Sequence, residues 1–209
     1  ERLKKEGVCT KLIGITDIPT GHAIIQVDPT GENSIALYGG ANLSINRKFV
    51  KDAVSACSPG DYVLLQNETG AVADAIRTAK RKGLRVVLNP APMNDALLRY
   101  PLMDVDLFIL NETEAEGLTG KKDHRDIRVA MNKKFPHSAI VLTLGAKGAV
   151  YFDSTKCFRH PGIKVKAVDT TAAGDTFTGY FLAEFMKSGD AGRALDLGCR
   201  AAAICVTRK

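Results

Sequence analysis

The chain has 209 residues, 45% of them hydrophobic and 25% charged, with a formal net charge of +6. That is enough chain for one large domain or two small ones with a substantial core, and the composition is that of a soluble globular protein. No apolar run approaches bilayer-spanning length and no signal-peptide pattern opens the sequence, so neither a membrane nor a secretory route is expected.

Glu1 opens a polar helix or loop, and Val8 to Ile15 reads as a strand. His22 to Asp28 and Asn33 to Tyr38 flank the turn signal Pro29-Thr30-Gly31-Glu32, which predicts a hairpin. Gly39-Gly40-Ala41-Asn42 releases the chain into a helix around Arg47 to Cys57. The pattern then becomes rhythmic. Tyr62 to Leu65 is a short apolar strand. Ala71 to Lys82 is a helix with Val72, Ala75, Ile76 and Ala79 on one face. Arg85 to Leu88 is the next strand, followed by a Pro-rich loop and a short helix near Leu97. Leu107 to Leu110 reads as a strand, with helices at Glu112 to Leu118 and Asp126 to Lys134. Ala139 to Leu144 is a strand with Ala149 to Phe152 as its hairpin partner, and helices Asp175 to Lys187 and Ala191 to Val206 close the chain.

Short buried strands alternating with helices predict an α/β layer fold with a largely parallel sheet, without repeat or linker. In such sheets ligands bind beyond the carboxyl ends of the strands. Gln66-Asn67-Glu68, Asn89-Pro90, Asn111, Thr143-Leu144-Gly145 and Asp169 all fall there. The basic groups Lys80-Arg81-Lys82, Lys121-Lys122 and Lys133-Lys134 lie in separate segments with no interleaved aromatics, which argues against a nucleic-acid partner. Cys9, Cys57, Cys157, Cys199 and Cys205 are odd in number and form no Cys-x-x-Cys pair. Scattered thiols of this kind suit a reducing cytoplasm, and the four histidines do not join them in a zinc set.

Asp169 to Phe177, Asp-Thr-Thr-Ala-Ala-Gly-Asp-Thr-Phe, carries the most chemistry. It is a small-residue turn opening a helix whose Phe177, Phe181, Leu182 and Phe185 recur at helical spacing. A helix start offers unpaired N–H groups and the positive end of a dipole. Ala172, Ala173 and Gly174 lack bulk, so a phosphoryl group could approach their amides, with Asp175 beside it as a base for a hydroxyl. Asp as an ordinary cap is the competing explanation.

This stretch resembles the second signature of the ribokinase, or PfkB, family of carbohydrate kinases. Asn111-Glu112-Thr113-Glu114 is similar to that family's Asn-x-x-Glu motif, and Thr143-Leu144-Gly145-Ala146-Lys147-Gly148 to its nucleotide loop. Asn89-Pro90-Ala91-Pro92 and Val206-Thr207-Arg208-Lys209 look like ribokinases within it. The resemblance implies a ribokinase-like three-layer sandwich with a small β lid, residues 22–40 being a lid hairpin within a single domain spanning 1–209. It implies a cytoplasmic ATP-dependent kinase that phosphorylates a primary hydroxyl of a small sugar, D-ribose first, with Mg2+ and a monovalent cation, K+, as cofactors. Fructose, a ketodeoxy acid or a nucleoside as substrate, and a non-catalytic nucleotide-binding relative, are the alternatives. The partners implied are sugar and ATP, with homodimerisation through the lid.

By the same resemblance Asp175 takes the proton of the attacking hydroxyl, and the amides of Ala172, Ala173 and Gly174 form the anion hole. Asn111, Thr143, Gly145, Gly148 and Gly174 face the nucleotide. Glu114 places magnesium through water, although Asn111 and Glu114 are also a capping box. Gly145 and Gly148 could equally make a tight hairpin. Glu68 contacts the sugar or is merely solvated. Asp169, with the carbonyls of Thr171, Cys205 and Arg208, surrounds the monovalent cation, or Asp169 caps its own turn. Cys199 stands near the expected adenine edge, where these kinases often carry a polar ring, and reads as a small apolar packer. The chain resembles the later part of the family and looks cut at both ends. The expectation is therefore that these 209 residues alone are inactive.

Overall fold

The computed structural model describes residues 1–27 and 33–208. They fall into two compact units, Glu1–Asp61 with Glu68–Leu84, and Tyr62–Asn67 with Arg85–Lys209.

The first unit begins with a short helix α1 (Arg2–Lys5) and an antiparallel hairpin of β1 (His22–Val27) and β2 (Asn33–Tyr38), in register from His22 opposite Tyr38 to Val27 opposite Asn33. The predicted turn at Pro29 to Glu32 lies outside the described residues. Two helices follow, α2 (Arg47–Ser55) and α3 (Val72–Lys82), which pack on one another. Asn46 caps α2 by accepting from the Phe49 N–H at 3.0 Å. On α3 the predicted face of Val72, Ala75, Ile76 and Ala79 is buried, and Gly83 ends the helix at φ +80°.

The strand expected at Val8 to Ile15 does not form. Its backbone makes local bonds instead, Val8 N–H to Leu3 at 2.9 Å and Ile13 N–H to Thr10 at 3.2 Å. Leu12, Ile13 and Ile15 are exposed. An apolar run becomes a strand only where a neighbour pairs its N–H and C=O groups, and no described residue does so here.

The second unit is a six-stranded sheet. Its strands β3 (Tyr62–Gln66), β4 (Arg85–Asn89), β5 (Leu107–Asn111), β6 (Ala139–Thr143), β7 (Gly148–Phe152) and β8 (Cys157–Pro161) lie in sequence order. The first four run parallel and the last two antiparallel. The expected largely parallel α/β sheet is therefore present, with β8 as an unanticipated sixth strand. Its sequence Cys-Phe-Arg-His-Pro is mostly exposed and lacks the apolar signature of a core strand. Val86, Val87 and Leu88 of β4, and the equivalent runs in β5 and β6, are buried. Continuous apolar runs are what a sheet covered on both faces demands.

The covering helices explain those runs. Helices α4 (Glu112–Thr119) and α5 (His124–Lys134) lie between β5 and β6 in the chain, and Phe108 meets Phe135 just past α5 with ring centroids 4.8 Å apart. Against Val87, Ile109, Val141 and Tyr151 pack α6 (Ala173–Ser188) and α7 (Ala191–Cys205) through Phe177, Phe181, Leu182 and Leu195. Phe177, Phe181 and Phe185 stack along α6 at 5.8 and 5.5 Å. Each fully buried Phe or Leu contributes about 2 kcal/mol of transfer free energy.

The α6–α7 contact depends on a missing side chain. A Cβ at Gly198 would lie 2.9 Å from the Phe177 ring and 3.2 Å from its carbonyl. One at Gly179 would meet nothing within 4 Å. Gly198→Ala is expected to lower unfolding free energy by about 1–3 kcal/mol through overpacking. Gly179→Ala should raise it by about 0.5–1 kcal/mol through helix propensity. Urea denaturation of the two variants, which should move in opposite directions, checks this.

Candidate active site

Strand register gathers the polar ends of the sheet into a row. Gln66 is the partner of Asn89 across β3 and β4, and Asn111 is the partner of Thr143 across β5 and β6. Each is the last residue of its strand, as expected for a ligand-binding edge. Some of these groups are committed to the fold. Asn89 donates to the Ile109 carbonyl at 3.0 Å and accepts from the Ala91 N–H at 3.1 Å. Asn67 donates to the Pro92 carbonyl at 2.7 Å and accepts from the Tyr100 hydroxyl at 3.0 Å. Glu68 is exposed in the turn after β3 and belongs to the other unit.

The start of α6 is built from its sequence in small steps. Asp169 accepts from the Thr171 N–H at 2.8 Å, closing a local turn. That bond and the Thr171 hydroxyl hold the Asp169 carboxyl below the usual carboxylate range. Ala172 then adopts the left-handed conformation, φ +57°, at the N-cap. A non-glycine residue there costs about 1 kcal/mol. The turn aims successive amides out of the helix end. The N–H of Ala173 makes a long 3.3 Å contact with the Thr170 carbonyl. Those of Ala172, Gly174 and Asp175 have no hydrogen-bond partner among the described residues. A Cβ on Gly174 would touch no protein atom within 4 Å, so the fold does not require glycine there. Asp175 is exposed on the first turn, its Oδ1 3.4 Å from Gln66 Nε2 at the end of β3.

A cleft of about 450 Å³ opens beside this helix start. Thr143, Gly145, Ala173, Gly174, Ile163 and Cys199 are among the residues that line it. Gly148 also lines it and is demanded by close packing, since a Cβ there would lie 2.1 Å from the His160 carbonyl. The segment 162–167 is a cleft wall that the sequence alone does not signal. Its only hint is Gly162, where a Cβ would lie 1.8 Å from the Ala146 carbonyl. Gln66, beside Asp175, was likewise legible only as a polar strand end.

Asn111 and Glu114 form the predicted capping box. The Glu114 N–H donates to Asn111 Oδ1 at 2.9 Å, and the Glu114 carboxylate accepts from the Asn111 N–H and side-chain amide at 2.9 and 3.0 Å. Glu114 is 8% exposed. Burial raises its pKa, opposed by the Asn111 N–H bond. Each carboxylate oxygen keeps a lone pair, enough to accept from a metal-bound water. Among the described residues no three His, Cys, Asp or Glu side chains converge, so a divalent cation here would rest mainly on phosphate and water oxygens.

The four residues of the expected monovalent site are linked pairwise, Asp169 to Thr171, Thr171 to Cys205 and Cys205 to Arg208. The N–H groups of Val168 and Asp169 donate to the Val206 carbonyl at 2.7 and 3.2 Å. Cys205 Sγ lies 3.8 Å from the Thr171 carbonyl, and the Arg208 N–H donates to the Cys205 carbonyl at 3.1 Å. Carboxylate and carbonyl oxygens of this kind suit a hard cation.

Comparisons with known proteins identify the family of the chain. The family model described as pfkB family carbohydrate kinase matches residues 1–209. The chain is 37% identical to a ribokinase of Haemophilus influenzae over 98% of its own length and 69% of the relative's. Against a ribokinase of Staphylococcus aureus the figures are 36%, 94% and 67%. The solved Arabidopsis thaliana ribokinase complexed with ribose and ATP is 29% identical with a TM-score of 0.75, covering 92% of this chain and 65% of that one. The chain thus spans about two thirds of the length of the proteins it matches.

The raised pKa of Glu114 has a consequence for stability. Its folded value lies above the unfolded one, so its contribution is present in full below the unfolded pKa and is lost as pH rises through the folded value. Glu114→Gln does not titrate. The variant should therefore compare worst with the parent near pH 4 and better at pH 7, which denaturation at both pH values measures.

Proposed function

The chain belongs to the pfkB family of carbohydrate kinases, and we propose that its protein is an ATP-dependent sugar kinase that phosphorylates the primary hydroxyl of D-ribose. The observation that carries the proposal is the exposed Asp175 carboxylate standing beside the unbonded amides of Ala172 and Gly174. Phosphoryl transfer needs a base for the attacking hydroxyl and fixed donors for the charge on the moving group. Asp175 accepts the hydroxyl proton as the sugar oxygen forms its bond to the γ-phosphorus. The bond from that phosphorus to the bridging oxygen breaks and ADP leaves. The amides of Ala172 and Gly174, and that of Ala173 once its long turn contact yields, hold the equatorial oxygens. Gln66 orients the Asp175 carboxylate.

Asn111, Thr143, Gly145 and Gly148 are assigned to the nucleotide, and Glu68 to the sugar. Glu114 orients water toward a magnesium ion, which when bound neutralises phosphate charge. Asp169 with the carbonyls of Thr171, Cys205 and Arg208 would hold potassium and so fix the turn that aims the amides. The sugar assignment rests on the likeness to ribokinases, one of them described with ribose and ATP. Homodimerisation through the β1–β2 hairpin as a lid belongs to the same proposal, as does a single kinase domain spanning both units.

Three measurements test this. In the full-length protein, ADP release against a panel of sugars should give the highest kcat/KM with D-ribose; a preference for fructose or a nucleoside would overturn the sugar. Asp175→Asn should lower kcat by roughly 10³-fold, the scale of lost general-base catalysis, with ADP affinity retained. Equal turnover by the variant would overturn the base assignment. Gly174→Ala separates site from scaffold. With no protein atom near the added methyl, thermal stability should hold, while the methyl crowds the oxyanion position and turnover falls by about tenfold or more.

A further inference from the structure

The row of polar strand ends is tied together from the middle of the sheet outward. The Asn89 amide donates to the Ile109 carbonyl of β5 at 3.0 Å, and its oxygen accepts from the Ala91 N–H at 3.1 Å. The Ala91 carbonyl in turn accepts from the Asn67 N–H at 2.8 Å. Asn67 is the first residue past β3, whose ladder with β4 ends at the pair of Gln66 and Asn89. From there strand pairing no longer fixes the chain, so whatever holds Asn67 fixes the exit from Gln66.

Asn67 is held through both ends of its side chain. A carbonyl only accepts, so the group 2.7 Å from the Pro92 oxygen is Nδ2, which leaves Oδ1 to accept from the Tyr100 hydroxyl at 3.0 Å. Tyr100 is itself a fixed post. Its N–H donates to the Leu97 carbonyl at 3.0 Å and its carbonyl accepts from the Leu102 N–H at 2.8 Å, with Leu97 and Leu102 both buried. One residue back from this clamp, Gln66 Nε2 stands 3.4 Å from Asp175 Oδ1, at the long end of hydrogen-bond range. A small displacement of the strand end would lose that contact, and a general base depends on its aim.

Resting on the reading of Asp175 as the base, we infer that Asn67 and Tyr100 are positioning residues for the phosphoryl transfer, acting through Gln66. The Tyr100 hydroxyl and the Pro92 carbonyl lock Asn67, and Asn67 holds the Gln66 amide where it orients the Asp175 carboxylate. A clamp that served stability alone would have the same effect on turnover whatever stood at position 66.

A double-mutant cycle in the full-length protein separates the two roles. Tyr100→Phe keeps the ring and removes only the hydroxyl. It should lower kcat by about fivefold with the KM for ATP unchanged, on the scale of a slightly misplaced catalytic group. Gln66→Leu should lower kcat by about tenfold. In that background Tyr100→Phe should change kcat by less than about twofold, because the residue it acts through is gone. Asn67→Ala removes both side-chain bonds and should follow the same pattern, which keeps the test open if Tyr100→Phe does not fold. Parent kcat in Tyr100→Phe and Asn67→Ala, or an equal loss with and without Gln66, would overturn the inference and leave Asp175 as the base. Parent turnover in Asp175→Asn would instead overturn the reading of the base.

Discussion

One carbonyl holds the candidate site together. The oxygen of Val206, at the end of α7, accepts from the N–H groups of both Val168 and Asp169. These bonds tie the approach to α6 onto the end of the helix that packs beside it. Each is worth about 1 kcal/mol net, a modest sum, but their value here is geometric. Between that anchor and the first turn of α6 lie only Thr170, Thr171 and Ala172. A segment so short, fixed at both ends, accommodates the left-handed Ala172 and the Asp169 turn without freedom to relax them. The unbonded amides are the result of that constraint.

The packing behind the anchor serves the same end. Helix α6 brings three stacked phenylalanines and α7 answers with Ala191, Ala194, Gly198 and Ala201, so large meets small along the interface. Gly198 lets the Phe177 ring approach α7 closely. Phe177 and Cys199 then line the cleft together. The same tight contact that stabilises the helix pair therefore shapes the cleft floor, and a change at Gly198 would be felt at the ligand as well as in the core.

Much of this was legible in the sequence because it is local. The capping box of Asn111 and Glu114 spans four residues, and the helix start at Ala172 to Asp175 is contiguous. The buried strands β4, β5 and β6 read as continuous apolar runs because both their faces are covered. What escaped is nonlocal or unsigned. Gln66 reaches Asp175 across 109 residues of chain. Strand β8 earns its place by pairing with β7 through backbone groups, which Cys-Phe-Arg-His-Pro does not advertise. Val8 to Ile15 failed in the opposite sense, apolar enough for a strand yet without a described neighbour to pair with it.

The site also shows how one residue can serve the fold and a ligand without conflict. Glu114 is nearly buried and both its oxygens are engaged by Asn111, which would suffice to explain it as a cap. Yet a carboxylate that spends one lone pair per oxygen on its own helix retains the others, and they are held rigid by the cap itself. Gly174 is the contrasting case. Nothing in the fold needs its missing side chain, whereas Gly148 and Gly162 are forced by backbone approaching within van der Waals distance. A residue the scaffold does not require, set among amides the scaffold does not use, is best explained by something that arrives from outside, and both conditions meet in the small-residue turn before Asp175.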